Sequence, residues 1–173
     1  MNSKMKQSII SKAQQKFRYK YFIETGTYLG QMVESQKENF EVIYTIELGE
    51  QLFRDANEKF KSFNHIITLQ GDSGVVLNSV LSNLESSAIF WLDGHYSGGI
   101  TAKGDLVCPI FNELNCIFSS KRMNHILFID DERLFDGTDG YPQKKEVIDF
   151  IKIKNPKSKI KSRFDMIQVE LVW

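Results

Sequence analysis

The sequence lacks the features that would make the chain a membrane, exported or modular protein. No stretch contains 18 consecutive apolar residues, so a transmembrane helix is not expected. The opening segment, Met1–Lys16, contains no apolar core of signal-peptide length, and the remainder shows no internal repeat and no linker. These absences predict a cytoplasmic protein that has no membrane association.

Cysteine is scarce, and the two that occur are badly placed for a bond. Cys108 and Cys116 lie eight residues apart in a segment with helical periodicity. At 1.5 Å per residue they would be about 12 Å apart, which exceeds the Cα separation of a disulfide. Their spacing is not a zinc pattern, and no histidine lies near them at ligand spacing. Two reduced core thiols are therefore expected.

An excess of charge of either sign is also missing. Lys plus Arg and Asp plus Glu both total 22, which gives zero formal net charge and a pI near 6.8. This balance argues against a surface built to neutralise phosphates, so a nucleic-acid partner is not expected. A basic patch near the C-terminus is interpreted as a solvated helix end and hairpin; its members are Lys152, Lys154, Lys157, Lys159 and Lys161.

The composition itself is that of a globular protein. Hydrophobic residues make up 42% and aromatic residues 12% of 173 residues, enough to build a real core. One domain is expected over residues 1–173, with an N-terminal helical segment over 1–20 and an α/β core over 21–173.

Strand-like and helix-like segments alternate along the chain, which predicts right-handed βαβ crossovers and a doubly wound, mostly parallel sheet with helices on both faces. Predicted strands are Tyr21–Ile23, Glu41–Glu47, His65–Gln70, Ser87–Asp93, His125–Ile129 and Met166–Trp173. Predicted helices are Ser3–Phe17, Gln31–Lys37, Glu50–Phe63, Val75–Leu84, Leu106–Phe118 and Lys144–Lys154. The glycine-containing segment Tyr96–Gly104 is interpreted as a lid over the site or as a static connection.

The first predicted strand runs into a glycine-punctuated turn in FIETGTYLG, Phe22 to Gly30. Such a strand, loop and helix start directs backbone N–H groups at one point, and Gly26 and Gly30 would let a ligand approach the backbone. The alternative is a plain turn that merely requires two glycines.

Nearly every predicted strand ends in an acid, and the carboxyl ends of parallel strands meet at one edge of a sheet. Acids gathered at one edge repel one another unless they bind cations or ligands rich in donors. Capping of the following helix could explain Glu47 or Asp72 individually. The complete set is Glu24, Glu47, Asp72, Asp93, Asp130 and Asp131.

The first acids favour a nucleoside whose tail carries no phosphate. Glu47 ends the second strand about 20 residues past the glycine loop, where dinucleotide folds bind a ribose hydroxyl. However, Gly26 and Gly30 do not form GxGxxG, and Glu24 would repel a pyrophosphate but suit an ammonium group. An oxidoreductase that uses a dinucleotide is therefore disfavoured.

These residues resemble the class I S-adenosylmethionine (SAM)-dependent methyltransferases, over roughly Phe22 to Phe150. The resemblance implies a Rossmann-like fold in which the glycine loop holds the methionine part of the cofactor, Glu47 binds the ribose hydroxyls and Asp72 lies at the adenine. The cofactor-binding residues it implies are Glu24, Gly26, Thr27, Tyr28, Gly30, Glu47, Asp72, Ser73 and Asp93.

Within that family, Asp93 followed by the pair Asp130 and Asp131 resembles the metal-dependent macrocin O-methyltransferase and cephamycin-biosynthesis group. That resemblance implies that these three carboxylates hold magnesium beside the acceptor hydroxyls. Oxygen ligands at strand ends independently suit Mg²⁺, which would lower the pKa of a coordinated hydroxyl. The chain departs from that group by its short length, by lacking a long N-terminal lid segment, and by the sequence Asp93-Gly94-His95 where some relatives carry a second aspartate.

His95, two residues past Asp93, is the candidate general base, because an imidazole titrates near neutrality. It could instead be a metal ligand or form a hydrogen bond within the loop, whereas His65 and His125 each open a strand and are expected to be structural. Methyl transfer to a hydroxylated small molecule is predicted, with catalytic roles for Asp93 and His95. A non-catalytic SAM-binding module and a metal-dependent hydrolase are the alternatives. Because the chain has little lid of its own, a second copy in a homo-oligomer could cover the site.

Overall fold

The computed structural model describes residues 3–95 and 107–173. The predicted lid segment Tyr96–Gly104 therefore lies outside the described residues. Strands are β1 (Tyr21–Thr25), β2 (Val42–Glu47), β3 (Ile66–Gln70), β4 (Ala88–Leu92), β5 (Ile126–Asp130), β6 (Lys159–Ser162) and β7 (Met166–Glu170). Helices are α1 (Ser3–Phe17), α2 (Gln31–Gln36), α3 (Glu50–Phe60), α4 (Ser73–Ser82), α5 (Ile110–Ser119) and α6 (Lys144–Lys154), with one 3-10 turn at Glu132–Leu134.

The strands form one sheet in the order β3-β2-β1-β4-β5-β7-β6. The strands from β1 to β5 run parallel to their neighbours, whereas β7 is antiparallel to both β5 and β6. The chain winds outward from β1 to β3 and then crosses back to β4, so the strand order reverses between β1 and β4. The predicted Rossmann-like, doubly wound α/β fold is confirmed.

Two apolar cores cover the two faces of this sheet. On one face, α4, α5 and α6 bury residues such as Leu77, Leu114 and Val147 against the strands. On the other face, α1, α2 and α3 bury residues such as Ile10 and Phe60. All five residues of β4 are buried, as the continuous apolar run of a central parallel strand predicts.

Several element ends differ from the sequence prediction for identifiable reasons. Helix α4 begins two residues early because the Asp72 carboxylate accepts a hydrogen bond from the N–H of Gly74 and caps it. Helix α5 begins only at Ile110, because Pro109 takes the N-cap position and not one inside the first turn. Strand β6 was predicted only as part of a hairpin, since its short, charged sequence is typical of an exposed edge.

Two smaller predictions concern the cysteines and the membrane. Cys108 and Cys116 are both free thiols, and Cys116 is buried. Over residues 3–95 and 107–173, every helix is too short or too polar to cross a lipid bilayer.

Candidate active site

The carboxyl edge, where β1 to β5 end, brings the predicted acids to one side of the molecule. Glu24 is the second-to-last residue of β1, Glu47 ends β2 and Asp130 ends β5. Asp72 and Asp93 lie one or two residues past the ends of β3 and β4. Parallel strand direction alone therefore explains why acids far apart in sequence share this edge.

The glycine loop, Gly26–Gly30, joins β1 to α2 and contacts the end of β4. Gly26 has φ +80°, and a Cβ there would overlap the carbonyl oxygen of Asp93. Gly30 has φ +68°, and its Cβ would lie 2.8 Å from the ring of Phe60. Each glycine therefore has a packing requirement of its own, in addition to any close approach of a ligand.

A cavity of about 170 Å³ lies between α1, the glycine loop and the strand ends. Its wall includes backbone of the loop and three of the predicted acids. The lining residues are Ser3, Lys6, Glu24, Gly26, Thr27, Tyr28, Leu29, Gln31, Met32, Trp91, Asp93 and Asp130. The predicted ribose and adenine residues, Glu47 and Asp72, are not part of this wall.

Glu24 is a buried acid in this cavity with only neutral hydrogen-bond partners. Its side chain accepts a 2.5 Å hydrogen bond from the Thr45 hydroxyl, which also lies 2.6 Å from the Thr27 hydroxyl. Burial raises the pKa of Glu24 to about 8, so the carboxyl is mostly protonated at pH 7. A positively charged ligand group placed beside it would favour the carboxylate.

Glu47 fixes the conformation of the glycine loop. One carboxylate oxygen accepts a 2.8 Å hydrogen bond from the N–H of Tyr28, and the other accepts one of 2.8 Å from Gly49. Tyr28 has φ 48°, a left-handed conformation that this bond helps to hold. Each oxygen keeps a second lone pair that could accept from a hydroxyl.

The other predicted contacts on the adenosine side have structural partners. Asp72 caps α4, and the hydroxyl of Ser73 donates a 2.6 Å hydrogen bond to Glu113. Glu113 was not predicted, although it lies three residues after Ile110 on the apolar face of α5, where a buried acid needs a partner. Burial raises the pKa of Glu113, and a Cβ on Gly94 would lie 2.8 Å from its oxygen. Glu113 therefore supports the loop that carries His95.

His95 lies between two carboxylates of the acid cluster, which we define as Asp93, Asp130 and Asp131. Its Nδ1 is 3.4 Å from an oxygen of Asp93, and its Nε2 is 3.4 Å from an oxygen of Asp131. Burial alone would lower the pKa of His95, but the two carboxylates more than offset this and raise it. The ring of Tyr141 packs edge-on at 5.5 Å between centroids. The predicted general base is thus held in a fixed orientation.

Lys6 of α1 is a second residue that sequence reasoning missed, after Glu113. Its ammonium pairs with the carboxylate of Asp130 and lies 3.3 Å from Asp131 and 4.0 Å from Asp165. Burial would lower the pKa of Lys6, yet the hydrogen bond to Asp130 and the nearby charges raise it. Lys6 is one helical turn before Ile10, on the face of α1 that enters the core. That position alone would have predicted a buried lysine that needs an acidic partner.

Asp131 receives three positive or potentially positive partners. Besides Lys6 and His95, the guanidinium of Arg133 donates a 2.7 Å hydrogen bond to it. Burial would raise the pKa of Asp131, but these partners together hold it well below its usual range. Burial and the charge of Asp130 instead raise the pKa of Asp93 well above its usual value. The acid cluster therefore combines one strongly ionised carboxylate with one that favours protonation.

The donors present fit magnesium poorly. Among the described residues, one ligand atom each from Asp93, His95 and Asp131 lie within 4.8 Å of one another and could hold a metal ion. Asp130, the third predicted ligand, is not part of this group. Its carboxylate pairs with Lys6 and accepts a 2.7 Å hydrogen bond from the N–H of Asp131. An imidazole nitrogen suits zinc or other transition metals better than Mg²⁺, which prefers oxygen.

The other two histidines lie at the opposite edge of the sheet, before β3 and β5. The Nε2 of His65 is 2.8 Å from the carbonyl oxygen of Lys37. The Nδ1 of His125 accepts a 3.0 Å hydrogen bond from the N–H of Ala88, and burial lowers the pKa of His125 to about 4. Both positions agree with the structural roles predicted for them.

A larger cavity of about 280 Å³ lies on the other side of α1, against β5, β7 and β6. Its floor is apolar, and Lys159 and Lys161 of the predicted basic patch line it together with Lys12 and Lys16. The patch itself spans the end of α6 and strand β6, as predicted, and its lysines are exposed. This cavity is separate from the strand-end acids.

No protein-family model and no curated protein matches the chain in sequence. Solved structures do match its fold. An O-methyltransferase from Bacillus cereus in complex with SAH has a TM-score of 0.74 at 12% identity, over 100% of this chain and 83% of that one. SAH-bound PaMTH1 of Podospora anserina has a TM-score of 0.69 at 16% identity, over 100% and 80%. TomG of Streptomyces achromogenes, in complex with SAM, has a TM-score of 0.70 at 11% identity, over 99% and 81%.

Proposed function

We propose that the chain transfers a methyl group from SAM to a hydroxyl group of a small-molecule acceptor. The observation that carries the proposal is Glu24, a buried acid without a cationic partner among the described side chains, in a cavity walled by the glycine loop. A ligand tail that brings an ammonium group into this cavity would complete the missing charge pair. SAM has such a tail, and structures of the same fold bind SAM or SAH.

The cavity fits the methionine end of SAM by charge and by backbone access. Glu24 would accept from the ammonium group, and the loop from Gly26 to Tyr28 would contact the rest of the tail. Glu47, held by two backbone N–H groups, would bind the ribose hydroxyls through its remaining lone pairs. Asp72 stays a predicted adenine contact and Ser73 a predicted cofactor contact. In the structure Asp72 caps α4 and the Ser73 hydroxyl donates to Glu113.

When bound, SAM supplies a methyl carbon to which the acceptor oxygen bonds while the carbon–sulfur bond breaks and its electron pair returns to sulfur. The chain must orient the acceptor and take the hydroxyl proton. We assign the hydroxyl proton to Nε2 of neutral His95, because Asp93 beside Nδ1 and Asp131 beside Nε2 would stabilise the imidazolium that forms. Asp93 lies between the glycine loop and His95, where cofactor and acceptor would meet.

Magnesium assistance through Asp93, Asp130 and Asp131 remains a prediction. Closely spaced donors on Asp93 and Asp131 favour a cation at this place. The ion pair between Lys6 and Asp130 weighs against a divalent one. The acceptor, a cytoplasmic location and a homo-oligomer also remain predictions.

Isothermal titration with SAM tests the cofactor half of the proposal. The wild type is expected to bind SAM, and Glu24→Gln is expected to weaken binding by about tenfold or more, since it removes a charge-assisted contact worth ~1.5–3 kcal/mol. The matched control is Glu38→Gln, which removes an exposed acid at the end of α2 and should leave affinity unchanged. Absence of wild-type binding at about 1 mM SAM would refute the proposal.

Turnover is tested with methyl-labelled SAM and a panel of hydroxylated small molecules from a cell extract. Label is expected in an ether product, together with stoichiometric SAH. Binding without any transfer would favour a non-catalytic SAM-binding module. Metal-dependent hydrolysis without SAM binding would favour a hydrolase.

A further inference from the structure

Lys6 is buried beside the site, and the burial of an ammonium group is costly unless a carboxylate pairs with it. The side chain of Lys6 is only 7% exposed. It occupies the core-facing side of α1, four residues before the fully buried Ile10. A lysine in this position must be held by partners from outside its own helix.

Two of those partners are carboxylates that were predicted to bind metal, Asp130 and Asp131. Lys6 pairs with Asp130 and lies 3.3 Å from Asp131, and its third acidic neighbour is Asp165 at 4.0 Å. The same ammonium also lines the cavity beside the glycine loop. One cation from α1 therefore neutralises the Asp130–Asp131 side of the acid cluster.

At Asp130, the predicted magnesium ligand, a divalent ion and this ammonium would compete for the same carboxylate. Mg²⁺ binds carboxylate oxygens at about 2.0–2.1 Å and holds its ligands in near-octahedral geometry. The Asp130 oxygen that would serve it already accepts from Lys6 and from the N–H of Asp131. A second, doubly positive charge among these atoms would be repelled by Lys6 and would have to displace it.

We infer that Lys6 takes the place of a divalent cation in this site, so that the acid cluster is neutralised from within the chain. Lys6 then acts as a positioning residue, because it holds Asp131, and Asp131 in turn orients Nε2 of His95. The inference rests on the proposed methyl transfer for its functional meaning. The part of the inference that concerns the metal is argued from the ion pairs alone.

Mn²⁺ is the probe that tests this arrangement, by electron paramagnetic resonance and by titration calorimetry. The metal-free wild type is expected to bind Mn²⁺ no more tightly than about 1 mM. Lys6→Met keeps the length of the side chain but frees the carboxylates, and is expected to gain at least about tenfold in Mn²⁺ affinity. Lys6→Arg keeps the charge and should bind no better than the wild type. Lys12→Met, an exposed lysine on the same helix, is the matched control and should change nothing.

Thermal unfolding gives a second readout. Removal of one partner from a buried pair should lower the melting temperature of Lys6→Met by about 10 °C, and saturating Mn²⁺ should restore part of the loss. The double variant Lys6→Met/Asp130→Asn removes both charges of the pair and should be more stable than Lys6→Met. It replaces Lys6→Met in the Mn²⁺ titration if that single variant fails to fold. Micromolar Mn²⁺ binding by the wild type would overturn the inference without any need for a variant.

The proposed function and this inference fail in different ways. If label transfer by the wild type proceeds equally well in EDTA and with added Mg²⁺, the inference is supported. If SAM binding or label transfer requires Mg²⁺ and is lost in EDTA, the inference is wrong while the proposed function stands. If no SAM binds but Lys6→Met gains Mn²⁺ affinity, the proposed function is wrong, while the inference that Lys6 takes the place of a divalent cation is supported.

Discussion

The two halves of the carboxyl edge hold their acids by different means. On the β1–β2 half, Glu24 and Glu47 are held by hydroxyl and backbone N–H donors, and no described lysine or arginine lies within 4 Å of either. On the β4–β5 half, the acid cluster is surrounded by Lys6, Arg133 and His95. The β1–β2 half therefore lacks a cation, which a ligand could bring, whereas the β4–β5 half contains cations from the chain itself.

Sequence distance follows the same division. Glu47 binds groups that are 2 and 19 residues away, and Thr45 is 21 residues from Glu24. Lys6 is 124 residues from Asp130. The hydrogen bonds to Glu24 and Glu47 therefore span at most 21 residues, whereas the lysine that pairs with Asp130 comes from the helix at the other end of the chain.

The largest effect is expected from a substitution where the two halves touch, at Gly26 against Asp93. Gly26→Ala would force a left-handed Ala and an overlap with the carbonyl oxygen of Asp93 at once. We expect a loss of about 4 kcal/mol in the free energy of unfolding, together with a loss of SAM binding, measured by denaturant titration and calorimetry.

Gly137→Ala is the matched control for that variant. Gly137 also has positive φ, but the atoms nearest to its Cβ would belong to the side chain of Gln143 and not to backbone. Its expected cost is about 1–2 kcal/mol, with SAM binding intact. Equal losses for the two variants would show that backbone strain, and not the contact between the halves, explains the effect.

A smaller effect is expected from weakening the internally neutralised half alone. Asp131→Asn removes the carboxylate shared by Lys6, His95 and Arg133 and should cost about 2–3 kcal/mol in urea unfolding, because partly buried cations lose a partner. Asp139→Asn is the control, since Asp139 is exposed and has the same φ of 51° as Asp131. A stability equal to the wild type would mean that these ion pairs contribute nothing to folding.

The smallest effect concerns the half that lacks a cation, and it depends on pH. Burial raises the pKa of Glu24 from its usual 4.5 to about 8, so the folded chain retains a proton that the unfolded chain releases. The contribution of Glu24 to stability is fully present below pH 4.5 and is lost as the pH rises through about 8. Glu24→Gln cannot titrate and should be more stable than the wild type by about 1–2 kcal/mol at pH 8 relative to pH 5.

Denaturant titrations of Glu24→Gln and the wild type at pH 5, 6.5 and 8 measure this difference. The exposed control Glu38→Gln should run parallel to the wild type at all three values. If Glu24→Gln did so too, the pKa of Glu24 would be the same in the folded and unfolded chain, and the expected rise would be wrong.

The sequence was sufficient for the fold because its signals are local. Alternating strands and helices, turn glycines and strand-end acids each depend on neighbouring residues, and the parallel sheet then brings the acids to one edge. Element ends were less predictable, since Pro109 could begin α5 or precede it. The short strand β6 is stabilised mainly by pairing with β7, which its own residues do not encode.

The site was only partly predictable because its charge balance is not local. Glu24, Glu47 and His95 follow from their places at strand ends. The ammonium of Lys6 and the carboxyl of Glu113 reach the site from helices, and both looked like ordinary polar residues of amphipathic segments. A charged residue on the core-facing side of a helix is the signal that would have revealed each of them.

The reversed direction of β7 has a consequence for how this site could vary. Because β7 is antiparallel to β5, the turn between β6 and β7 lies at the carboxyl edge, and Asp165 in that turn contacts Arg133. Insertions or substitutions there would change the surroundings of the acid cluster while leaving the parallel strands untouched. The hairpin turn is therefore a natural point at which a relative could acquire a different acceptor preference without rebuilding the fold.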